Sequence, residues 1–210
     1  MPRLLHIICS PRKEQSDCLT VANTFIDAYV QAHTDTDVDT LDLWADPVPN
    51  FDGNRVAAKM TVIGGQTPAG EQATAWDDIV ARVERFTRAD LYVFGVPMWN
   101  FGIPWILKHY IDTITHPGLL FGIDPETGYY PLLKDKTGVA AYTAGLYAQG
   151  VPPQWGVDFQ STYFDGWLRF IGISTIHEIR FQPTLAPVGG PPEERRPLAL
   201  EEARRLGQTL

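Results

Sequence analysis

Basic charge is what this chain is short of. Its 210 residues carry 17 Lys and Arg against 25 Asp and Glu, a formal net charge of −8. Nucleic acid and anionic membrane surfaces demand a basic footprint, so this balance argues against either as the main partner. Cysteine is equally scarce. Cys9 and Cys18 are too few to staple a secreted domain and have no zinc-type spacing. Cys9, inside an apolar run, reads as a buried small apolar residue. Long hydrophobic runs are missing as well. The first, Leu4 to Cys9, is far shorter than the roughly 20 residues that cross a bilayer, and no signal-type cleavage site follows it. A cytoplasmic protein is the expectation. No repeat, low-complexity tract or linker interrupts a composition that is 44% apolar and 20% charged, so one globular domain over residues 1–210 is expected.

What is present is an alternation of short apolar runs with amphipathic ones, the pattern of a parallel sheet flanked by helices. Leu4 to Cys9 is nearly continuous in apolar residues, as a strand covered on both faces should be. A helix is predicted over Leu19 to Ala32, where Leu19, Ala22, Phe25, Ile26, Tyr29 and Val30 recur at spacings of three and four. Asp37 to Trp44 alternates apolar and polar residues and reads as a second strand near the sheet edge. The stretch after it, punctuated by Pro47, Pro49, Gly53, Gly64 and Gly65, reads as a long loop. A helix over Ala69 to Arg88, a strand over Leu91 to Val96 and a helix over Ile103 to His116 follow. Gly118 to Pro131 is expected to form a hairpin or excursion. Beyond it come a strand over Gly138 to Ala144, a helix over Asp158 to Ile171, a strand over Thr175 to Phe181 and a last helix over Glu193 to Gln208.

Five strands separated by helices predict a doubly wound α/β fold with strand order 2-1-3-4-5 and helices on both faces. Such sheets bind ligands outside the carboxyl ends of their strands, where the order reverses. The loops after the first, third and fourth strands would crowd together there.

The loop after the first strand, Ser10 to Cys18, has hydroxyls at Ser10 and Ser16 and runs into a helix amino terminus, which favours an anion such as phosphate. Capping of that helix by Ser16 or Asp17 is the alternative, and Arg12 and Lys13 are either ligands or solvated charges. The loop contains no glycine, so neither a dinucleotide fingerprint nor a P-loop can be drawn from it. A single phosphate monoester suits it better than a pyrophosphate. After the third strand stand Pro97, Met98, Trp99, Asn100, Phe101 and Gly102, more aromatic surface than a turn requires. They offer a wall for a flat ring with an amide to read its edge, or they pack against a neighbouring helix. After the fourth strand, Thr143, Ala144, Gly145 and Tyr147 supply a hydroxyl, a glycine for close approach or for a turn, and another aromatic ring. A phosphate seat beside an aromatic ring seat describes flavin mononucleotide (FMN).

The combination SPRKEQS, PMWNFGIPWILKHYIDTITHPGLLF and FIGI resembles the FMN-dependent NAD(P)H:quinone oxidoreductases of the bacterial azoreductase family, flavodoxin-like proteins, over nearly the full length. The resemblance implies that Ser10, Ser16, Asp17 and Cys18 surround the FMN phosphate and ribityl chain. It implies that Pro97, Met98, Trp99, Asn100 and Phe101 hold the isoalloxazine ring, with Thr143, Ala144 and Gly145 at its polar end. Trp99, Phe121 and Tyr147 become the expected substrate contacts, Phe121 by reaching over the flavin of a partner subunit, which requires a homodimer with sites at its interface. Four departures stand out. Cys18 replaces the usual serine, Leu146 a frequent second glycine, Ala144 an occasional arginine and Trp99 the more usual tyrosine.

The implied activity is a ping-pong hydride transfer from NADH or NADPH, through the flavin, to quinones and possibly azo compounds. Because the flavin carries the hydride, no catalytic side chain and no metal are expected. The acidic balance offers nothing to the extra phosphate of NADPH and so leans toward NADH. The rival reading is a flavodoxin-like FMN electron carrier serving protein redox partners; a third is a flavin-free dimer on the same scaffold.

Overall fold

The computed structural model describes residues 1–46, 48–185 and 191–210. Pro47, read above as loop punctuation, lies outside the described residues. Five parallel strands form the central sheet: β1 (Arg3–Ile8), β2 (Asp37–Asp42), β3 (Leu91–Pro97), β6 (Thr137–Thr143) and β7 (Thr175–Phe181), in the order β2-β1-β3-β6-β7. The expected numbering 2-1-3-4-5 does not carry over. The Gly118 to Pro131 excursion contributes two strands of its own, β4 (Phe121–Asp124) and β5 (Gly128–Pro131), paired as an antiparallel hairpin outside the sheet.

Alternation along the strands divides the core in two. Leu5, Ile7, Phe94, Val96, Ala140 and Tyr142 face α3 (Glu71–Thr87), α4 (Trp105–Ile114) and α5 (Gln160–Ile171). Leu4, Val93, Val139, Ala141 and Ile179 face α1 (Asp17–Ala32) and α6 (Pro192–Thr209). Cys9 is fully buried in the first of these layers, as its apolar setting predicts.

The stretch after β2 corrects the loop expectation, because it holds a helix, α2 (Gly53–Ile63). Asp52 starts it by accepting hydrogen bonds from the backbone N–H groups of Asn54 (3.1 Å) and Arg55 (3.2 Å). Glycines at both ends gave that stretch the look of a loop. Its apolar residues are weak evidence too, since Val56, Met60 and Ile63 are exposed and only Ala58 is buried. What anchors α2 lies far along the chain: Arg55 pairs with Asp78 of α3 at 3.0 Å.

Gly95 positions the start of α1. A side chain there would put a Cβ 2.7 Å from the Leu19 side chain and 3.3 Å from the Cys18 carbonyl oxygen, so glycine lets the first turn of α1 lie directly on β3. Among the described residues, no helix is long and apolar enough to cross a membrane.

Candidate functional site

The carboxyl ends of β1, β3 and β6 meet as the doubly wound topology requires, and the loops leaving them line one cavity of about 250 Å³. Its walls are Ser10, Arg12, Ser16 and Asp17 from the first loop, Pro97, Met98 and Trp99 from the second, and Thr143, Ala144 and Gly145 from the third. Thr184 and Leu185, just beyond β7, complete it. Composition marks neither residue. They enter because the backbone N–H of Thr184 donates to the Ala144 carbonyl (2.7 Å) and that of Leu185 to the Gly145 carbonyl (2.9 Å), lacing the fourth wall to the third.

The amino terminus of α1 opens into this cavity without a side-chain cap. Ser16 sits at the N-cap position with an extended backbone, yet its side chain caps nothing. Its Oγ lies 3.1 Å from Cys18 Sγ instead. The first N–H groups of a helix have no intrahelical partner, so the unfilled cap leaves donors and the positive end of the helix dipole at the cavity wall. Arg12 lines this wall, its backbone N–H donating to Ser10 Oγ at 3.3 Å, whereas Lys13 turns away and pairs with Asp42.

Cys18 stands at the start of α1. A thiol at a helix amino terminus is expected to ionise more easily, but burial dominates and pushes Cys18 up to about 11, against smaller opposing hydrogen bonds from Ser16, Thr143 and the Leu19 backbone. The thiol is fully buried behind the cavity wall and braces Ser16 from beneath. Its neutral form persists at ordinary pH.

The aromatic loop is a two-residue hairpin. Trp99 and Gly102 exchange backbone hydrogen bonds of 2.9 and 3.0 Å, and the residues between them, Asn100 and Phe101, have φ of 49° and 71°. Turns of this kind need positive φ at both central positions and normally use Asn-Gly. Asn100 fits that preference, whereas a phenylalanine in the left-handed region costs about 1–3 kcal/mol. Phe101 is held there from outside, since its carbonyl accepts a 3.0 Å hydrogen bond from the Phe159 N–H at the entry to α5. Replacing Phe101 with glycine is therefore expected to raise unfolding stability by about 1 kcal/mol while loosening this turn. Urea denaturation checks the sign, and a destabilised variant would show that the ring's packing outweighs the strain.

The Trp99 ring packs 6.1 Å from that of Trp44, in the turn after β2, and the residue lines both the cavity at the α1 amino terminus and a second, larger one of about 560 Å³. That larger cavity is walled by Asn100, Gly102, Ile103, Trp105, Lys108, Phe159 and Tyr163 in addition. Trp44, assigned to a strand from sequence, emerges as the support of the wall: its indole N–H donates to the Cys9 carbonyl (3.0 Å) and its ring meets Trp105 edge-on at 5.7 Å. A third cavity, about 450 Å³, shares Met98, Ala144 and Gly145 with the one at the α1 amino terminus. Asn100, Phe101, Leu146, Tyr147, Gln154 and Trp155 complete its lining.

Phe121 stands apart from all three. It packs against Phe170 (4.9 Å between ring centroids) and Tyr129 (5.6 Å), where the hairpin meets α5. Sequence reasoning missed Gln160 altogether. Fully buried at the start of α5, its amide N–H group donates to the carbonyls of Val96 (2.8 Å) and Thr143 (3.3 Å). Its amide oxygen accepts from Gln182 at 2.9 Å, tying the ends of β3, β6 and β7 together behind the site. A glutamine with no motif around it carries no signal that would have found it.

Comparison with known proteins agrees with this geometry. The family model described as flavodoxin-like fold matches residues 2–206. The chain is 46% identical over 187 residues to an FMN-dependent NADH:quinone oxidoreductase of Ruegeria pomeroyi, covering 88% of this chain and 91% of that protein. It is 42% identical to FMN-dependent NADH:quinone oxidoreductase 3 of Pseudomonas fluorescens, covering 100% of this chain and 98% of the relative. The crystal structure of an azoreductase from Bacillus anthracis str. Sterne superposes with a TM-score of 0.89 at 25% identity, with each chain covered in full. A single α/β scaffold with its cleft at the strand ends, and identity of this level over nearly the whole length, place the chain in the flavodoxin-like family of FMN-dependent NAD(P)H:quinone oxidoreductases and azoreductases.

Proposed function

We propose that this protein is an FMN-dependent oxidoreductase that takes two electrons from NADH or NADPH and gives them to quinones and azo compounds in a ping-pong exchange. The observation that carries the reading is the pair of adjoining cavities that share Met98, Ala144 and Gly145, one ending at an uncapped helix amino terminus and the other at an aromatic loop. Relatives named as NADH:quinone oxidoreductases at 46% and 42% identity support it and favour NADH as donor.

The residues present fit FMN. Hydroxyls at Ser10 and Ser16, the amide groups opening α1 and the Arg12 guanidinium make a donor set for a phosphate monoester. Asp17 and Cys18 would contribute through their backbone. Pro97, Met98, Trp99, Asn100 and Phe101 would hold the ring, and Thr143, Ala144 and Gly145 would meet its polar edge. When bound, FMN supplies hydride chemistry between a nicotinamide and an acceptor. The chain then has three tasks: to seat flat partners in turn against Trp99 and Tyr147, to align them, and to exclude water. The proposal includes a homodimer acting in the cytoplasm, with the whole chain working as one unit. Phe101, Trp105, Phe159 and Tyr163 are exposed beside the cavities and leave apolar surface for a second copy to cover, and Phe121 would serve the partner's site.

The test is an anaerobic spectrum of the FMN-supplemented protein titrated with NADH and then with a benzoquinone. Bleaching by NADH followed by recovery with quinone is expected. A bound flavin that ignores both NADH and NADPH would overturn the enzyme in favour of the electron carrier. Trp99→Ala is expected to weaken FMN binding about tenfold by removing the stacking face, with the fold intact by circular dichroism. Unchanged flavin affinity and unchanged kinetics with several acceptors would remove Trp99 from the site.

A further inference from the structure

Asp17 is the odd residue in the anion seat. It occupies the first position of α1 and lines the cavity beside Ser10, Arg12 and Ser16. A carboxylate there competes with a phosphate twice over. It repels the dianion directly, and as an acid in the first helical turn it competes with it for the positive end of the helix dipole. The seat works only if that charge is neutralised or drawn aside.

The structure contains a group placed to do this, on an element remote in sequence. Arg196, in the first turns of α6, brings its Nε to 3.4 Å from Asp17 Oδ1. Its position is set by the packing of α6 along α1. At Gly207 a Cβ would fall 2.6 Å from the Phe25 carbonyl oxygen and 2.9 Å from the Tyr29 nitrogen, so the two helices touch through backbone. Ala203 and Leu206 are buried in the same layer as Phe25 and Tyr29. The guanidinium does not line the cavity; it meets Asp17 from the α6 side.

We propose that Arg196 is a positioning residue for the cofactor phosphate: by pairing with Asp17 it holds that carboxylate toward α6 and off the amide groups that open α1. This rests on the flavin reading above and extends it, since it makes anchoring of the last helix a determinant of how the chain distinguishes a phosphorylated flavin from a plain one. The pair is partly exposed, with side-chain exposures of 47% for Arg196 and 32% for Asp17, so a modest effect is expected.

Riboflavin supplies the control, because it has the ring and the ribityl chain of FMN without the phosphate. Titrating the full-length, flavin-stripped chain with each ligand by fluorescence separates a charge effect from a packing effect. Arg196→Gln is expected to raise the Kd for FMN about fivefold and to leave riboflavin within about twofold, while Arg196→Lys retains most of the FMN affinity. Asp17→Asn is expected to tighten FMN alone. In the Asp17→Asn background the Arg196→Gln substitution should then cost almost nothing, because its target is gone. An undiminished loss in that background would overturn the proposal, and so would an equal loss of riboflavin, which marks a packing role. A wild-type chain that binds FMN no better than riboflavin also overturns it. Wild-type protein that binds neither flavin rejects the oxidoreductase reading itself, and this inference with it.

Discussion

Acidifying the protein from about pH 7 to about pH 5 is expected to remove about 3 kcal/mol of unfolding stability, a large share of a typical domain's total. Two buried histidines carry the effect. His6, in the middle of β1, is lowered from 6.5 to about 4 by burial, with the Asp42 carboxylate opposing weakly. His116, fully buried between Phe51 and Trp76, is lowered to about 4 by burial and then by the Lys59 charge. Among the described residues, neither His6 Nε2 nor His116 Nδ1 has a hydrogen-bond partner. In the unfolded chain both rings titrate near 6.5. Between 6.5 and about 4 the unfolded state therefore binds more protons than the folded one, and stability falls as pH falls through that window. Each histidine contributes about 2 kcal/mol of the expected change.

One group runs the other way. Asp165 is raised to about 6, by burial first and by the neighbouring Glu178 carboxyl, so the folded state takes up its proton early and gains stability as pH falls. Being half buried, it offsets only part of the histidine effect. Asp39 belongs to a lower window. The Arg85 guanidinium holds it below the usual carboxylate range, so its contribution is present above that range and disappears only in stronger acid. Urea unfolding at both pH values, on wild type and His116→Gln, measures the difference. The substitution should remove about 2 kcal/mol of the change, more than half of the net pH dependence; an unaltered slope would show that His116 does not carry it.

Gln160→Leu is expected to cost about 3 kcal/mol and to impair the cofactor seat at the same time. Leucine is apolar and one atom shorter than glutamine, so the loss comes mostly from polar groups. The Val96 carbonyl loses its 2.8 Å donor and the Gln182 amide loses its 2.9 Å acceptor, both in buried positions. Leaving buried groups unpaired costs about 1–3 kcal/mol each. Thr143 keeps its 2.7 Å bond from the Met98 N–H, which limits the damage on that strand. The functional consequence follows from position. Gln160 ties the ends of β3 and β6, from which the aromatic loop and the Thr143–Gly145 wall depart. Thermal unfolding with and without added FMN separates the two effects. A variant with wild-type stability would show that solvent reaches these groups, and one that loses stability but keeps full flavin affinity would show that the tie does not shape the site.

The departures from sequence expectation share a cause. Glycines at 53 and 64 read as loop because turn residues act locally, whereas α2 is held by an Asp52 cap and by Arg55 reaching Asp78. At Cys18 the helix dipole is a local property legible in the sequence, whereas the burial that raises its thiol is not. For Phe121, expected by resemblance to reach the flavin of a partner subunit, the chain itself shows its packing on Phe170 and Tyr129.

By itself the sequence determined the alternation of strands and helices and the sheet edge at which three loops meet. Apolar periodicity is written residue by residue, and the ordering of a doubly wound sheet then follows from connection rules. It also marked Ser10, Ser16, Met98 to Phe101 and Thr143 to Gly145 as candidate lining, because they leave the strand ends that meet and because aromatic rings are out of place in ordinary turns. Tertiary structure alone decided whether α1 is capped, where Lys13 and Arg12 send their charges, and that Thr184, Leu185, Gln160 and Arg196 belong to the same neighbourhood. Those are pairings between residues distant along the chain, and the energy of a pair depends on distance and burial, which only the folded packing sets.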